Sequence, residues 1–173
     1  VYSIRIEHHG PVPGSLNLRQ REWNALVREA WRQVGVMWHR EIMRKHFSRQ
    51  AYAEYDYAPR QGESGRPDPR GFRRSYTGQK LKMMGHTNPM VYTGESQRRA
   101  QSARIHAVAT RNRSGVDVIL NTPALNFGRG KRVDMPVEMK RFSPRDAIDC
   151  IRLHRRIMEA KLREIRNTTS TDH

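Results

Sequence analysis

Three residues have the types and spacing for phosphodiester chemistry: Asp117, and then Glu138 and Lys140 as a Glu-x-Lys pair that begins 21 positions further on. Two such carboxylates hold a Mg²⁺ ion while the lysine orients or activates the attacking water. A motif this short matches often by chance and counts as a hypothesis until its structural context supports it. The rest of the chain is poor in reactive groupings. Its eight histidines form no HExxH, no i,i+4 pair and no Cys/His cluster, which gives a metal site little support. No GxSxG, GxxxxGK[ST] or GxGxxG occurs, so the common hydrolase and nucleotide-binding signatures are missing. Cys150 is the single cysteine; it forms no intrachain disulfide, and a reducing compartment suits it. The expectation is a protein that is not an enzyme and needs neither metal nor cofactor.

Positive charge is what the chain has in excess. Its 33 basic residues against 17 acidic give a formal charge of +16, and 27 of the 33 are arginine. The planar guanidinium fork suits phosphate and carboxylate better than an ammonium does, so a polyanionic neighbour is the inference. The alternative is a solvated surface that makes salt bridges between subunits. Apolar runs stay far below the roughly 18 residues of a membrane-spanning helix, and the start of the chain has no signal-peptide core. A soluble protein of intracellular origin is expected, without a membrane partner.

The elements that must position these residues follow from periodicity. Residues 1–8 alternate Tyr2, Ile4 and Ile6 with polar neighbours, the period of a half-buried strand. From about residue 18 to 47, Trp23, Leu26, Val27, Ala30, Trp31, Val34, Met37, Trp38 and Ile42 recur at threes and fours, which predicts one long amphipathic helix. Gly35 within it marks a bend or a close contact. Segment 49–78 changes character: its glycines and prolines interrupt regular structure, and its arginines are interleaved with Tyr55, Tyr57, Phe72 and Tyr76. Such a stretch grips single-stranded nucleic acid by stacking and charge, or orders on a protein partner as an arm; the arm is the reading preferred.

Beyond it, Pro89 should lead the chain extended through Met90-Val91-Tyr92, with Thr93 capping a short helix. Residues 103–121 read as an antiparallel hairpin turning at Asn112-Arg113-Ser114-Gly115. A loop over 123–132 carries a basic tip. Ser143-Pro144 opens a closing helix, with Ile148, Ile151, Met158, Leu162 and Ile165 on its buried face. The fold class expected is α+β, a small antiparallel sheet packed against two long helices. One domain, 1–173, is expected, with 49–78 as an inserted arm or loop and 167–173 as a flexible tail.

Four pieces in order carry a resemblance: Asn88-Pro89-Met90-Val91-Tyr92-Thr93-Gly94 through Ala100, the hairpin over 103–121, Asp134-Met135-Pro136-Val137-Glu138, and the helix over 143–166. Together they resemble the tail-completion or neck proteins of tailed bacteriophages, over about residues 85–166. Gln97 and Arg98 depart from that pattern, standing where such proteins carry an apolar residue. The resemblance implies a structural virion protein at the head–tail junction, made in the host cytoplasm. It implies a homo-oligomeric ring through which double-stranded DNA passes without sequence readout, with neighbouring head and tail proteins as further partners. Arg98, Arg99, Arg111, Arg113, Arg129, Lys131 and Arg132 are the candidates to face the bore. Arg60, Arg66, Arg70, Phe72, Arg73, Arg74 and Tyr76 are the candidates on the arm. The alternatives are a nucleic-acid-binding component of a ribonucleoprotein and, behind it, a Mg²⁺-dependent nuclease.

Overall fold

Alternation at the start of the chain and over the hairpin gives strands, and the threes-and-fours pattern gives helix, in the computed structural model, which describes residues 2–9, 19–60, 69–91, 94–120, 122 and 133–171. The elements are β1 (Tyr2–His9), α1 (Gln20–Met37), a π turn (Trp38–Ile42), α2 (Met43–Lys45), α3 (Ala51–Glu54), α4 (Pro69–Arg74), α5 (Tyr76–Met84) and α6 (Glu95–Ala100). They continue with β2 (Ala103–Ala109), β3 (Arg113–Leu120), α7 (Met135–Glu138) and α8 (Pro144–Thr171). With 59% helix beside one small three-stranded antiparallel sheet, the fold mixes helix and sheet in the manner of an α+β protein. The residues sort into two compact units, one of residues 3–40, 104–119 and 144–173, the other of residues 1–2, 41–103 and 120–143.

In the first unit the sheet order is β1-β3-β2, so β3 is the central strand. Its Ser114, Gly115, Val116 and Val118 are buried. Gly115 is required by close approach: a Cβ there would stand 2.3 Å from the Ile6 carbonyl oxygen and 2.9 Å from Glu7 Cα. Two ion pairs tie β1 to β3. Arg5 Nε donates to Asp117 Oδ1 at 2.6 Å and Nη2 to Oδ2 at 3.3 Å, and Arg113 donates to Glu7. Cross-strand pairs of this kind hold a register. The hairpin closes on Thr110, whose N–H donates to the Arg113 carbonyl at 2.8 Å and whose Oγ1 accepts the Arg113 N–H at 3.2 Å.

Helix α1 opens with the Glu22 carboxylate accepting the Arg19 N–H at 3.0 Å and buries Trp23, Val27, Ala30, Trp31 and Val34. It comes down on the sheet at Gly35, where a Cβ would stand 2.7 Å from Val116 Cγ2 and 2.8 Å from Ile105 Cγ2. A glycine costs about 1 kcal/mol of helix propensity against alanine, and here the close packing of helix on sheet offsets it. Helix α8 packs on α1, with the Trp31 and His154 rings 4.6 Å apart and tilted by 44°.

The second unit is helical and is organised by turns. Its apolar core includes Ile42, Met43, Phe47, Ala51, Tyr55, Tyr57, Met90, Ala100 and Met139. Ser75 separates α4 from α5 by capping the latter: its Oγ accepts the Gly78 N–H at 3.1 Å and donates to the Phe72 carbonyl at 2.6 Å. Gly85, at φ 72°, ends α5 in the left-handed conformation, with its N–H donating to the Leu81 carbonyl at 2.9 Å. Asp134 caps α7 through the Val137 N–H at 3.1 Å, with Pro136 in the first turn.

Several expectations shift. The single helix over 18–47 is divided by the π turn at Trp38–Ile42. Segment 49–78 holds α3, α4 and the start of α5, because Gly71 is accommodated within a helix and Gly78 lets two helices touch; residues 61–68 lie outside the described residues. Met90 is not extended but left-handed, at φ 56°, the position after proline that a type II turn requires. Thr93 lies outside the described residues, and Gly94, at φ 80°, is the N-cap of α6. The hairpin reverses at Arg111-Asn112, with Gly115 inside β3. On α8, Ile148 and Ile151 are 46% and 66% exposed, while Cys150 and Met158 face inward. The α8 backbone continues to Thr171, through most of the expected tail.

Candidate functional site

The acidic residues with catalytic spacing are held by arginines. Glu138 sits at the end of α7, its side chain 3% exposed, and takes a two-pronged grip from Arg60: Nη1 donates to Oε1 at 2.8 Å and Nη2 to Oε2 at 2.6 Å. The Ala58 N–H adds a third donor to Oε1 at 3.2 Å, and Arg60 Nη1 also reaches the Ala58 carbonyl at 3.0 Å. A metal ion at Glu138 would have to displace a buried guanidinium, which leaves an uncompensated charge behind. Asp117 is bound by Arg5, and this partnership, through the hydrogen bond first and the opposite charge second, raises the Arg5 pKa above its ordinary value. Lys140 is exposed. Among the described residues no group of three or more His, Cys, Asp or Glu side chains has the arrangement to hold a metal ion.

Around Arg60 the second unit builds a buried aromatic cluster. The guanidinium lies 5.6 Å from the Tyr52 ring centroid and 5.9 Å from that of Tyr57, an arrangement in which ring quadrupoles attract a desolvated cation. The Tyr57 hydroxyl is 2.5 Å from His46 Nδ1, and His46 stacks on Tyr55 with centroids 4.0 Å apart and planes 7° from parallel. Arg141 closes the other side by donating to the Tyr55 carbonyl at 3.0 Å and to the Asp56 carbonyl. Asp56 accepts this at φ 48°, a conformation that Asp tolerates better than most residues. The cluster is an internal brace joining segment 46–60 to α7. Sequence reasoning placed Tyr55, Tyr57 and Arg60 in a reaching arm, and the signal it passed over was the two- and three-residue spacing of Tyr52, Tyr55 and Tyr57 just before Arg60.

The basic residues expected to face DNA fall in both units. Arg98 and Arg99 are exposed on α6, and Arg99 pairs with Glu95 one turn earlier. Arg111 is exposed at the hairpin turn, whereas Arg113 is half-buried and engaged with Glu7. Arg129, Lys131 and Arg132 lie outside the described residues, as does Arg66 of the expected arm. Of its other members, Arg60 is buried as above, Arg70 belongs to α4, and Phe72 is half-buried. Arg73 and Arg74 are exposed on α4, and Tyr76 is 47% exposed at the start of α5.

Cys150 and Glu29 also titrate away from their ordinary values. Burial pushes the Cys150 thiol up to about 12, with Asp146 and Asp149 adding to the effect. Hydrogen bonds from Arg32 and Gln33 hold the Glu29 carboxyl down at about 2. The first follows from burial of α8, the second from hydrogen bonds along the exposed side of α1. Among the described residues no helix is long and apolar enough to cross a membrane. The chain matches no family profile, no curated protein and no solved structure.

Proposed function

We propose that this chain is a structural subunit of a tailed phage or phage-like particle. It is a neck or tail-completion protein that closes into a homo-oligomeric ring at the head–tail junction, and double-stranded DNA passes through that ring. The observation that carries the reading is the order of elements after Pro89: a turn and a glycine-capped short helix, an antiparallel hairpin, a short helix containing Pro136, and a closing helix. That order follows the resemblance piece by piece. In this reading α1 and α8 are the two long helices behind the sheet, and segment 49–78 is the assembly arm, with Arg73, Arg74 and Tyr76 as its outward residues. Arg60 is withdrawn from the arm because it holds Glu138. Rings of this kind close through heterologous interfaces repeated about an axis.

Exposed Arg98 in one unit and exposed Arg111 in the other each support contacts that touch phosphate without reading bases, which lets DNA slide. The subunit works in the virion beside head and tail proteins, and it catalyses nothing. Its acids support that last point, since Glu138 and Asp117 serve as partners for arginine. Electron micrographs of the purified protein should show closed rings. Duplex binding should be independent of sequence and fall by about 0.9 log units per tenfold rise in salt for each phosphate neutralised. Reversing Arg98 and Arg111 to glutamate should leave rings intact and weaken DNA retention. A protein that stays monomeric, or plasmid cleavage with Mg²⁺ that Glu138→Ala abolishes, overturns the reading.

A further inference from the structure

Helix α8 turns a row of arginines away from the fold. Arg145, Arg152, Arg156 and Arg163 follow one another at separations of seven, four and seven, and all four are exposed. At about 100° per residue these spacings keep them within roughly 40° of one another around the helix. The 18 positions from Arg145 to Arg163 make five turns of about 3.6 residues. The row is therefore straight, and about 27 Å long at 1.5 Å per residue. The other side of the helix carries Asp146, Cys150 and Met158, all buried.

The acids beside the row leave it unneutralised. Glu159 is held by Arg155 at 2.7 Å, Glu164 by Lys161 at 2.8 Å, and Asp149 is half-buried. Among the described residues none of the four arginines takes part in an ion pair, whereas exposed Arg32 and Arg99 on other helices have Glu29 and Glu95 within a turn. Arg152 and Arg156 stand one turn apart, where like charges oppose the helix; an anion laid along the row relieves that repulsion. Duplex DNA carries phosphates at close, regular intervals along a stiff backbone, and the guanidinium fork matches phosphate. A single strand is gripped through aromatic platforms, and residues 144–171 contain no Phe, Tyr or Trp. A protein partner wants an apolar centre to its contact. From Arg152 to Arg163 the exposed neighbours of the row are Arg155, Glu159 and Ala160, and the exposed Ile148 and Ile151 lie only at its start.

We propose that α8 lies along the sugar–phosphate backbone of duplex DNA, with Arg145, Arg152, Arg156 and Arg163 each on a phosphate and no base read. Duplex DNA as the partner rests on the function proposed above; the contact is a separate surface from Arg98 and Arg111 and needs no ring. The test titrates the full chain with a short duplex of mixed sequence at several salt concentrations. It compares the unaltered chain with a row variant, in which all four arginines become glutamine, and with a control in which Arg21, Arg28, Arg40 and Arg104 become glutamine. Those four are exposed in the same unit and lie off the row. The slope of log affinity against log salt should fall by about 0.9 for each row arginine removed, roughly 3.6 for all four, and the control should keep the slope of the unaltered chain. The thermal midpoint of the row variant should not fall, because surface positions tolerate such changes and a like-charge pair is relieved. An unchanged slope in the row variant, or an equal loss in the control, overturns the proposal. So does a single strand of the same length that binds more tightly than the duplex. A row variant that no longer forms rings yet binds duplex as before assigns the row to a protein neighbour, and also overturns it. A monomeric chain that binds duplex through the row upholds the proposal and removes the ring reading.

Discussion

Glu138 shows why residue type and spacing alone do not make an active site. Its carboxylate is buried and has three donors from Arg60 and Ala58, so its chemistry is that of a structural anchor. Removing one partner of a buried pair strands the other charge, at a cost of roughly 3–5 kcal/mol. Arg60→Ala or Glu138→Ala should therefore lower the urea midpoint strongly, while replacing both together by Met and Leu should recover much of the loss. If the single substitutions leave the midpoint unchanged, the brace has no energetic role. Cys150 makes a second prediction at this scale. Its thiol is held at about 12 against an ordinary 9.0, so the native state keeps a proton that the unfolded chain releases. Stability should be flat with respect to this group below pH 9, and should fall as pH rises from 9 toward 12. Cys150→Ala should flatten that alkaline slope; an unchanged slope would assign it to other groups.

Among the elements, α1 on the sheet is a contact that a single added atom disturbs. A Cβ at Gly35 would meet Val116 and Ile105 at under 3 Å, and overpacking of this kind costs typically 1–3 kcal/mol. Gly35→Ala should lower the thermal midpoint, and Val116→Ala added to it should restore part of the loss, so the two changes should be non-additive. Additive effects would mean that the helix does not rest there. This contact was legible in the sequence as a glycine inside an amphipathic run. The hairpin was legible too, but not its turn: Asn112 to Gly115 carries turn chemistry, yet Gly115 is needed where a Cβ would stand 2.3 Å from the Ile6 carbonyl oxygen of β1, and a long-range need of that sort leaves no local mark. Ile148 and Ile151 were misassigned for a related reason, since α8 has apolar residues on more than one face and only the position of α1 selects Cys150 and Met158.

At the scale of the whole molecule, each unit is assembled from separated stretches of chain, so neither corresponds to a contiguous fragment of sequence. The 33 basic residues divide by environment. Arg5, Arg60 and Arg113 are paired with carboxylates, and Arg141 with backbone carbonyls. Arg73 and Arg74 of α4, Arg98 of α6 and Arg111 at the hairpin turn are exposed, so one residue type serves both as a brace and as surface charge.

Strand β1 finds its partner late. Arg5 and Asp117, which join it to β3, are 112 residues apart, and β3 is synthesised only after α1 through α6. The first strand of the sheet must therefore stay unpaired while more than half of the chain emerges. Closing so large a loop adds little to the equilibrium cost, about 0.6 kcal/mol for each doubling of its length, but non-local pairing of this kind slows folding. Refolding from urea should recover helical circular dichroism before the fluorescence of Trp23, Trp31 and Trp38, all of them buried. Recovery of both signals in one fast phase would mean that strand docking is not the slow step. A kinetic delay at β1 would leave the edge of β3 open in the newly made chain, and the partner that arrives first at that edge would decide between a folded chain and an aggregate.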